Sequence, residues 1–405
     1  MNSTNPFESE LVNWKNLFQD CNINFLIGSG LSNPFFGTLG QIEVWLTKLE
    51  ENHSIEQDLK DFIKASLYGS YYQVAMRDNV DVFKAKDLED IIVEEPSTKN
   101  ELLSNTYKGY KDFLRTLNQI LYNRRSNTVN KQVNLFTTNI DIFFEKVIDD
   151  LNLHYNDGFN GIFRKRFSLS NFKKSFYQKS LHYDNIAEIP VYNLLKIHGS
   201  ITWRLVGSEI QFKGIALIKS INQLLNESEL LNESELLDIV QLDEDIWNLE
   251  ERCTTIDDII KEAEKLKSIP DVSEFINEYE KLQVVNPTKE KFKDTTFNKT
   301  YYEMLRLYAN ELEKENSILY IMGFSMADEH IRDITFRAIK SNPTLKVFIC
   351  SYTESASDII TNLKSDNVDL KDFHNVELIN PFDGFTIHKF NEHILFPLLQ
   401  SIKTN

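Results

Sequence analysis

The sequence predicts a doubly wound α/β fold, in which a parallel sheet is wrapped on both faces by helices and carries helical insertions. Three observations predict it. Five short apolar runs rich in Ile, Val, Leu and Phe recur along the chain, each the length of a buried strand. Stretches with helical spacing lie between them, and strands alternating with helices imply a parallel sheet covered on both sides. With 405 residues, 41% of them hydrophobic and 26% charged, the chain can bury two or three cores and has the balance of an ordinary globular protein.

The strand-like runs are Asn24 to Ile27, Val133 to Phe136, Leu194 to Ile197, Ile318 to Met322 and Leu345 to Ile349. Ile42, Trp45, Leu46 and Leu49 fall on one helical face, as do Tyr302, Leu305, Tyr308, Ala309 and Leu312, the spacing of an amphipathic helix. Two longer segments interrupt the alternation. Residues 55–125 read as a helical insertion whose aromatic residues, Tyr68, Tyr71, Tyr72 and Phe83, suit core packing. Residues 215–298 read as an acidic helical insertion, in which LNESEL stands twice in tandem from Leu225 to Leu236. That duplication is too short to set a repeat architecture and reads as a helix extension. The sheet-bearing core then comprises residues 1–54, 126–214 and 299–405.

Charge narrows the function classes. Of the net −17, most resides in residues 221–280, where 18 acidic residues face 4 basic ones. Such a balance disfavours a protein that coats nucleic acid, because phosphate binding needs concentrated Lys and Arg. One basic aromatic stretch stands out, Phe163-Arg164-Lys165-Arg166-Phe167 with Lys173, Lys174 and Lys179. Most such runs are solvated faces; this one could also meet the acidic segment of a second copy and make a homo-oligomer. No apolar run approaches the roughly 20 residues that span a bilayer, and the N-terminus lacks the pattern of a secretion signal. The three cysteines, Cys21, Cys253 and Cys350, are scattered and form no C-x-x-C pair. A cytoplasmic protein without membrane contact is expected.

In an open parallel sheet, ligands bind at the carboxyl ends of the strands. The first run leads into Gly28-Ser29-Gly30-Leu31-Ser32. Glycines there let a backbone approach a pyrophosphate closely, with turn N–H groups and the Ser32 hydroxyl as donors. The dinucleotide fingerprint is incomplete, since Asn33 stands where its third glycine would be, so the motif alone fits a plain tight turn equally well. The second run leads into Thr137-Thr138-Asn139-Ile140-Asp141. Asn139 and Asp141 can orient an amide or a ribose hydroxyl, and Thr138 and Asp141 equally suit a helix cap or Asx turn. The third leads into His198-Gly199, an imidazole able to take a proton near neutral pH with backbone room beside it. The fourth leads into Gly323-Phe324-Ser325, followed by Asp328, which suits a helix N-terminus. The fifth ends at Ser351.

Taken in order, GSGLS at Gly28 to Ser32, TTNID at Thr137 to Asp141, His198-Gly199 and GFS at Gly323 to Ser325 resemble the sirtuin family. The set spans about three quarters of the chain. The resemblance implies a Rossmann-like core that takes NAD as substrate, with the nicotinamide ribose between Asn139 and His198. It implies that Gly28, Ser29, Gly30 and Ser32 hold the pyrophosphate and that Asn139 positions the ribose or an attacking water. Asp141 then holds the carboxamide beside Thr138, His198 serves as general base, and Gly323 and Ser325 contact the adenosine side or phosphates, with Ser351 a further contact.

The departures are equally informative. Protein-deacylating sirtuins carry a four-cysteine zinc module after the histidine, and here that interval holds only Cys253; no zinc is expected. The segment after Gly30 reads NPFFGTLGQIEVWL in place of the acyl-channel motif. The pattern is closer to zinc-free sirtuin-like proteins of bacterial antiphage systems, which hydrolyse NAD and arrest the infected cell. Its size resembles the subunits that work beside a HerA-type hexameric ATPase. Alternatives are a deacylase or ADP-ribosyltransferase, and a noncatalytic nucleotide-sensing subunit.

Overall fold

The computed structural model describes the chain except for residues 1–4, 38–41, 86–92, 94–95, 97, 127, 228–234, 243–248, 252–254, 285–294, 366–368 and 404–405. Seven parallel strands form the central sheet: β1 (Asn22–Ile27), β2 (Gln132–Thr137), β3 (His154–Asn156), β4 (Val191–Lys196), β5 (Ser317–Met322), β6 (Lys346–Cys350) and β7 (Val376–Ile379). Their order is β7-β6-β5-β1-β2-β4-β3, with every adjacent pair parallel. This is a Rossmann-like doubly wound sheet. All five expected strands lie in it, and the order reverses between β1 and β5, the topological switch point.

Both faces are covered because successive strand residues point to opposite sides. On one face Phe25, Leu135, Tyr192, Tyr320 and Phe348 pack with Trp14 and Phe18 of helix Leu11–Asp20 and with helix Lys99–Tyr122. On the other, Leu26, Phe136, Leu195, Ile321 and Ile349 pack with Tyr301, Leu305 and Tyr308 of helix Thr295–Leu312 and with helix Glu329–Ser341. The helical spacing places Tyr302 on the buried face; in the structure Tyr302 is exposed and Tyr301 is buried instead. Among the insertion aromatics Tyr68 and Tyr72 are buried, while Phe83 is exposed beneath the Lys219 ammonium.

A polar row crosses the second face. Asn24, Asn134, Asn193 and Asn156 occupy matched positions on β1, β2, β4 and β3. Each amide donates to the next carbonyl at 2.8 Å: Asn134 to Asn24, Asn193 to Asn134, and Asn156 to Asn193. Asn134 also donates to buried Glu311 of the overlying helix at 3.1 Å. Glu311 is in turn ion-paired with Lys173 and Lys314.

Residues 55–125 carry helices Gln57–Ala75, Asn79–Lys84 and Lys99–Tyr122. A second sheet, five short antiparallel-paired strands, includes Gly199–Val206, Glu209–Phe212, Arg166–Phe167 and Leu282–Val284. Residues 215–298 carry helices Ala216–Glu227, Ile256–Glu264 and Ser273–Tyr279 along with the paired strands Val240–Leu242 and Leu249–Glu251. Most of the expected LNESEL helix extension falls outside the described residues. No helix among the described residues is long and apolar enough to cross a membrane.

Candidate functional site

The sheet order brings the five expected strand ends to one edge. Reading across it, Ser351 follows β6, Gly323 follows β5, Gly28 follows β1, Thr138 follows β2 and His198 lies just past β4. Five adjacent strands span roughly 20 Å at the usual inter-strand spacing.

At the switch point the two glycine turns meet each other. The Gly30 N–H donates to the Gly323 carbonyl at 2.9 Å. A Cβ on Gly28 would lie 2.3 Å from that same carbonyl oxygen, and one on Gly323, whose φ is +61°, would lie 2.3 Å from the Leu31 nitrogen. Gly28 and Gly323 thus have a demand to meet within the fold itself, since only glycine permits this backbone approach. Gly323→Ala is expected to cost about 1–3 kcal/mol from left-handed strain and overpacking combined. Gly207→Ala is the control: its φ is +65° with nothing within 4 Å of the added Cβ, so it carries the strain alone. Urea denaturation of both variants should show the larger loss for Gly323.

Between β1 and β2 lies a buried polar knot. Ser32 Oγ sits 2.8 Å from an Asp141 carboxylate oxygen and 2.7 Å from the Tyr110 hydroxyl. The carboxylate only accepts, so the Ser32 proton goes to Asp141 and the Tyr110 O–H donates to Ser32. Burial, with Asp141 nearby, holds the Tyr110 pKa well above its ordinary value, in keeping with a donor that stays protonated. The Asn139 amide adds donations to Ser32 at 3.2 Å and Tyr110 at 3.4 Å. Its carbonyl Oδ1 is buried and lacks a partner among the described residues. Asp141's other oxygen accepts from the Phe143 N–H at 3.1 Å, the Asx turn that starts helix Phe143–Asp150.

Buried Lys196, the last residue of β4, supports this loop from below. Its ammonium donates to the Asp141 backbone carbonyl and pairs with Glu145 at 3.2 Å. The Glu145 pKa is pushed up because desolvation outweighs the opposing Lys196 charge.

His198 occupies the turn that carries the chain from β4 into the second sheet, followed by Gly199 at φ +77°. Its Nε2 lies 3.1 Å from Asp328 Oδ2, and its side chain is 20% exposed. No contact ties it directly to the Ser32, Asn139 and Asp141 knot, although Ile201 N–H reaches the Ile140 carbonyl at 3.4 Å. Ser29, Gly30 and Ser325 are exposed along the edge and Thr138 is half-buried. Ser32 is fully buried and turned onto Asp141. Ser351 is buried, and its hydroxyl donates to the Thr353 carbonyl at 2.8 Å, a local turn.

Among the described residues, no group of three or more His, Cys, Asp or Glu could hold a metal ion. For a dinucleotide, the fitting feature is the Asn139 acceptor, which suits a ribose hydroxyl or carboxamide N–H. Sequence reasoning missed Tyr110 and Lys196. Only the placement of a lysine at the end of an otherwise apolar strand hinted at the second. No protein-family model matches the chain, and no curated protein matches it.

Proposed function

We propose that the chain binds NAD across the carboxyl edge of its sheet and hydrolyses the bond between nicotinamide and ribose. The observation that carries this reading is the unsatisfied buried Oδ1 of Asn139, on the same edge as His198. A buried acceptor without a donor costs about 1–3 kcal/mol, and a bound hydroxyl or amide donor would recover it.

Departure of nicotinamide takes the C1′–N bonding pair and neutralises the pyridinium, so strong acid assistance is unnecessary. The site has to orient water and stabilise an oxocarbenium-like ribose. In this reading Asn139 holds the ribose or the water, and His198 takes a proton from water or a neighbouring hydroxyl. General base catalysis supplies about 100- to 10,000-fold. ADP-ribose, nicotinamide and a proton are the products. Asp141, held by Ser32 and Lys196, lies beside Asn139 and suits the carboxamide. Exposed Ser29, Gly30 and Ser325 suit phosphates and the adenosine side.

The biological role that fits is NAD depletion in antiphage defence by abortive infection, in the cytoplasm, without zinc and beside a HerA-type hexameric ATPase. For a homo-oligomer, the support is the loop at Ile162 and Phe163, which are 87% and 98% exposed. Three of its basic neighbours are ion-paired within the chain, Arg166 with Glu209, Lys173 with Glu311 and Lys179 with Asp184.

Purified chain incubated with NAD alone, and then with the ATPase, should release nicotinamide and ADP-ribose in equal amounts. A requirement for a peptide or macromolecular acceptor would favour a transferase or deacylase. Binding without turnover in every condition would reduce the chain to a nucleotide-sensing subunit.

A further inference from the structure

We infer that Asp328 is a positioning residue for His198, fixing the ring proton on Nε2 so that Nδ1 is the atom that takes a proton in the reaction. The inference rests on the hydrolysis proposed above. A carboxylate only accepts hydrogen bonds, so at 3.1 Å the nitrogen facing Asp328 has to carry the hydrogen. In a neutral imidazole the other nitrogen then holds the lone pair, and Nδ1 has no hydrogen-bond partner among the described residues.

Asp328 is itself anchored. Its Oδ1 caps helix Glu329–Ser341 by accepting from Ile331 N–H at 3.1 Å. The loop that delivers it includes Gly323 and Met326, both left-handed, at φ +61° and +62°. Buried Arg332 holds that loop by donating to the Met326 carbonyl at 2.6 Å. One carboxylate oxygen therefore starts the helix while the other orients the imidazole. During hydrolysis the water oxygen bonds to C1′, the water proton passes to Nδ1, and the C1′–N pair leaves with nicotinamide. Asp328 then faces an imidazolium, which later releases its proton to solvent.

The decisive variant is Asp328→Asn. Asparagine caps helices as well as aspartate does, so the thermal midpoint should hold. Its amide, however, can donate to Nε2 and so favour the opposite tautomer. Nitrogen-15 spectra of histidine-labelled protein, with the His198 signals assigned from His198→Ala, should show Nε2–H in the parent chain and Nδ1–H in Asp328→Asn. On NAD, kcat should fall about 100-fold with KM unchanged, the size of a general-base contribution. An unchanged tautomer, or a raised KM at constant kcat, overturns the inference. The spectra need no NAD turnover: the tautomer switch in a chain that proves inactive on NAD would sink the hydrolase reading and leave Asp328 as the group that sets the ring.

Discussion

His198→Ala and Asn139→Ala are each expected to lower NAD hydrolysis by about 100-fold or more while the chain stays folded. Among the described residues His198 makes one side-chain hydrogen bond, to Asp328, and it sits at a turn with part of its ring in solvent. Its ring lies 6.3 Å from that of buried Tyr301, so alanine gives up some packing at the margin of that core. Asn139 is buried, but its carbonyl is unsatisfied, so alanine there removes a penalty as well as two long donations. The Asn139 N–H to Thr137 Oγ1 bond at 3.0 Å survives, since it uses the backbone. Stability changes should therefore stay within about 1–2 kcal/mol, as at positions where a site holds an unmet polar group. Nicotinamide release and thermal unfolding, measured on the same preparations, separate the two effects. NAD loss at the parent rate in both variants would remove Asn139 and His198 from the chemistry.

Asn134→Leu should give the largest loss of stability, about 2–4 kcal/mol, because leucine keeps the branched shape of the side chain, adds bulk and leaves its neighbours orphaned. The Asn24 carbonyl loses its donor from Asn134, the Asn193 amide loses an acceptor, and Glu311 loses a donor in a buried setting. Networks of this kind fail non-additively. The double variant Asn24→Leu with Asn134→Leu removes both ends of the first link, and its loss should fall short of the two single losses summed. Urea midpoints for the three variants decide it; simple additivity would mean that the amides act independently.

The five central strands were legible because each is a mostly apolar run buried on both faces, with an asparagine interrupting three of them, and five such runs leave few other places to go. β3 and β7 were not, being His-Tyr-Asn and a half-buried Val-Glu-Leu-Ile at the two margins of the sheet. The second sheet was also overlooked, although Gly207-Ser208 between two alternating segments is a two-residue hairpin signal. Its other strands are as short as two residues, which no periodicity can reveal. At the site, Asn139, Asp141 and His198 could be read from composition at strand ends. Their partners could not: Tyr110 reaches Ser32 across 78 residues and Asp328 reaches His198 across 130. The sequence shows Asp328 only as suited to a helix N-terminus, which accounts for one of its two oxygens.

The mutual grip of the Gly28 and Gly323 turns bears on how a long ligand approaches. In an open doubly wound sheet the gap between the two halves is the natural cleft, yet here peptide planes fill it, joined by the Gly30 to Gly323 hydrogen bond. On the function proposed above, a dinucleotide would lie over this bridge as over a sill, with its reactive end toward β2 and β4. A Cβ at position 28 or 323 would press into the facing turn, so variation that tunes ligand choice would fall on either side of the sill and not at it.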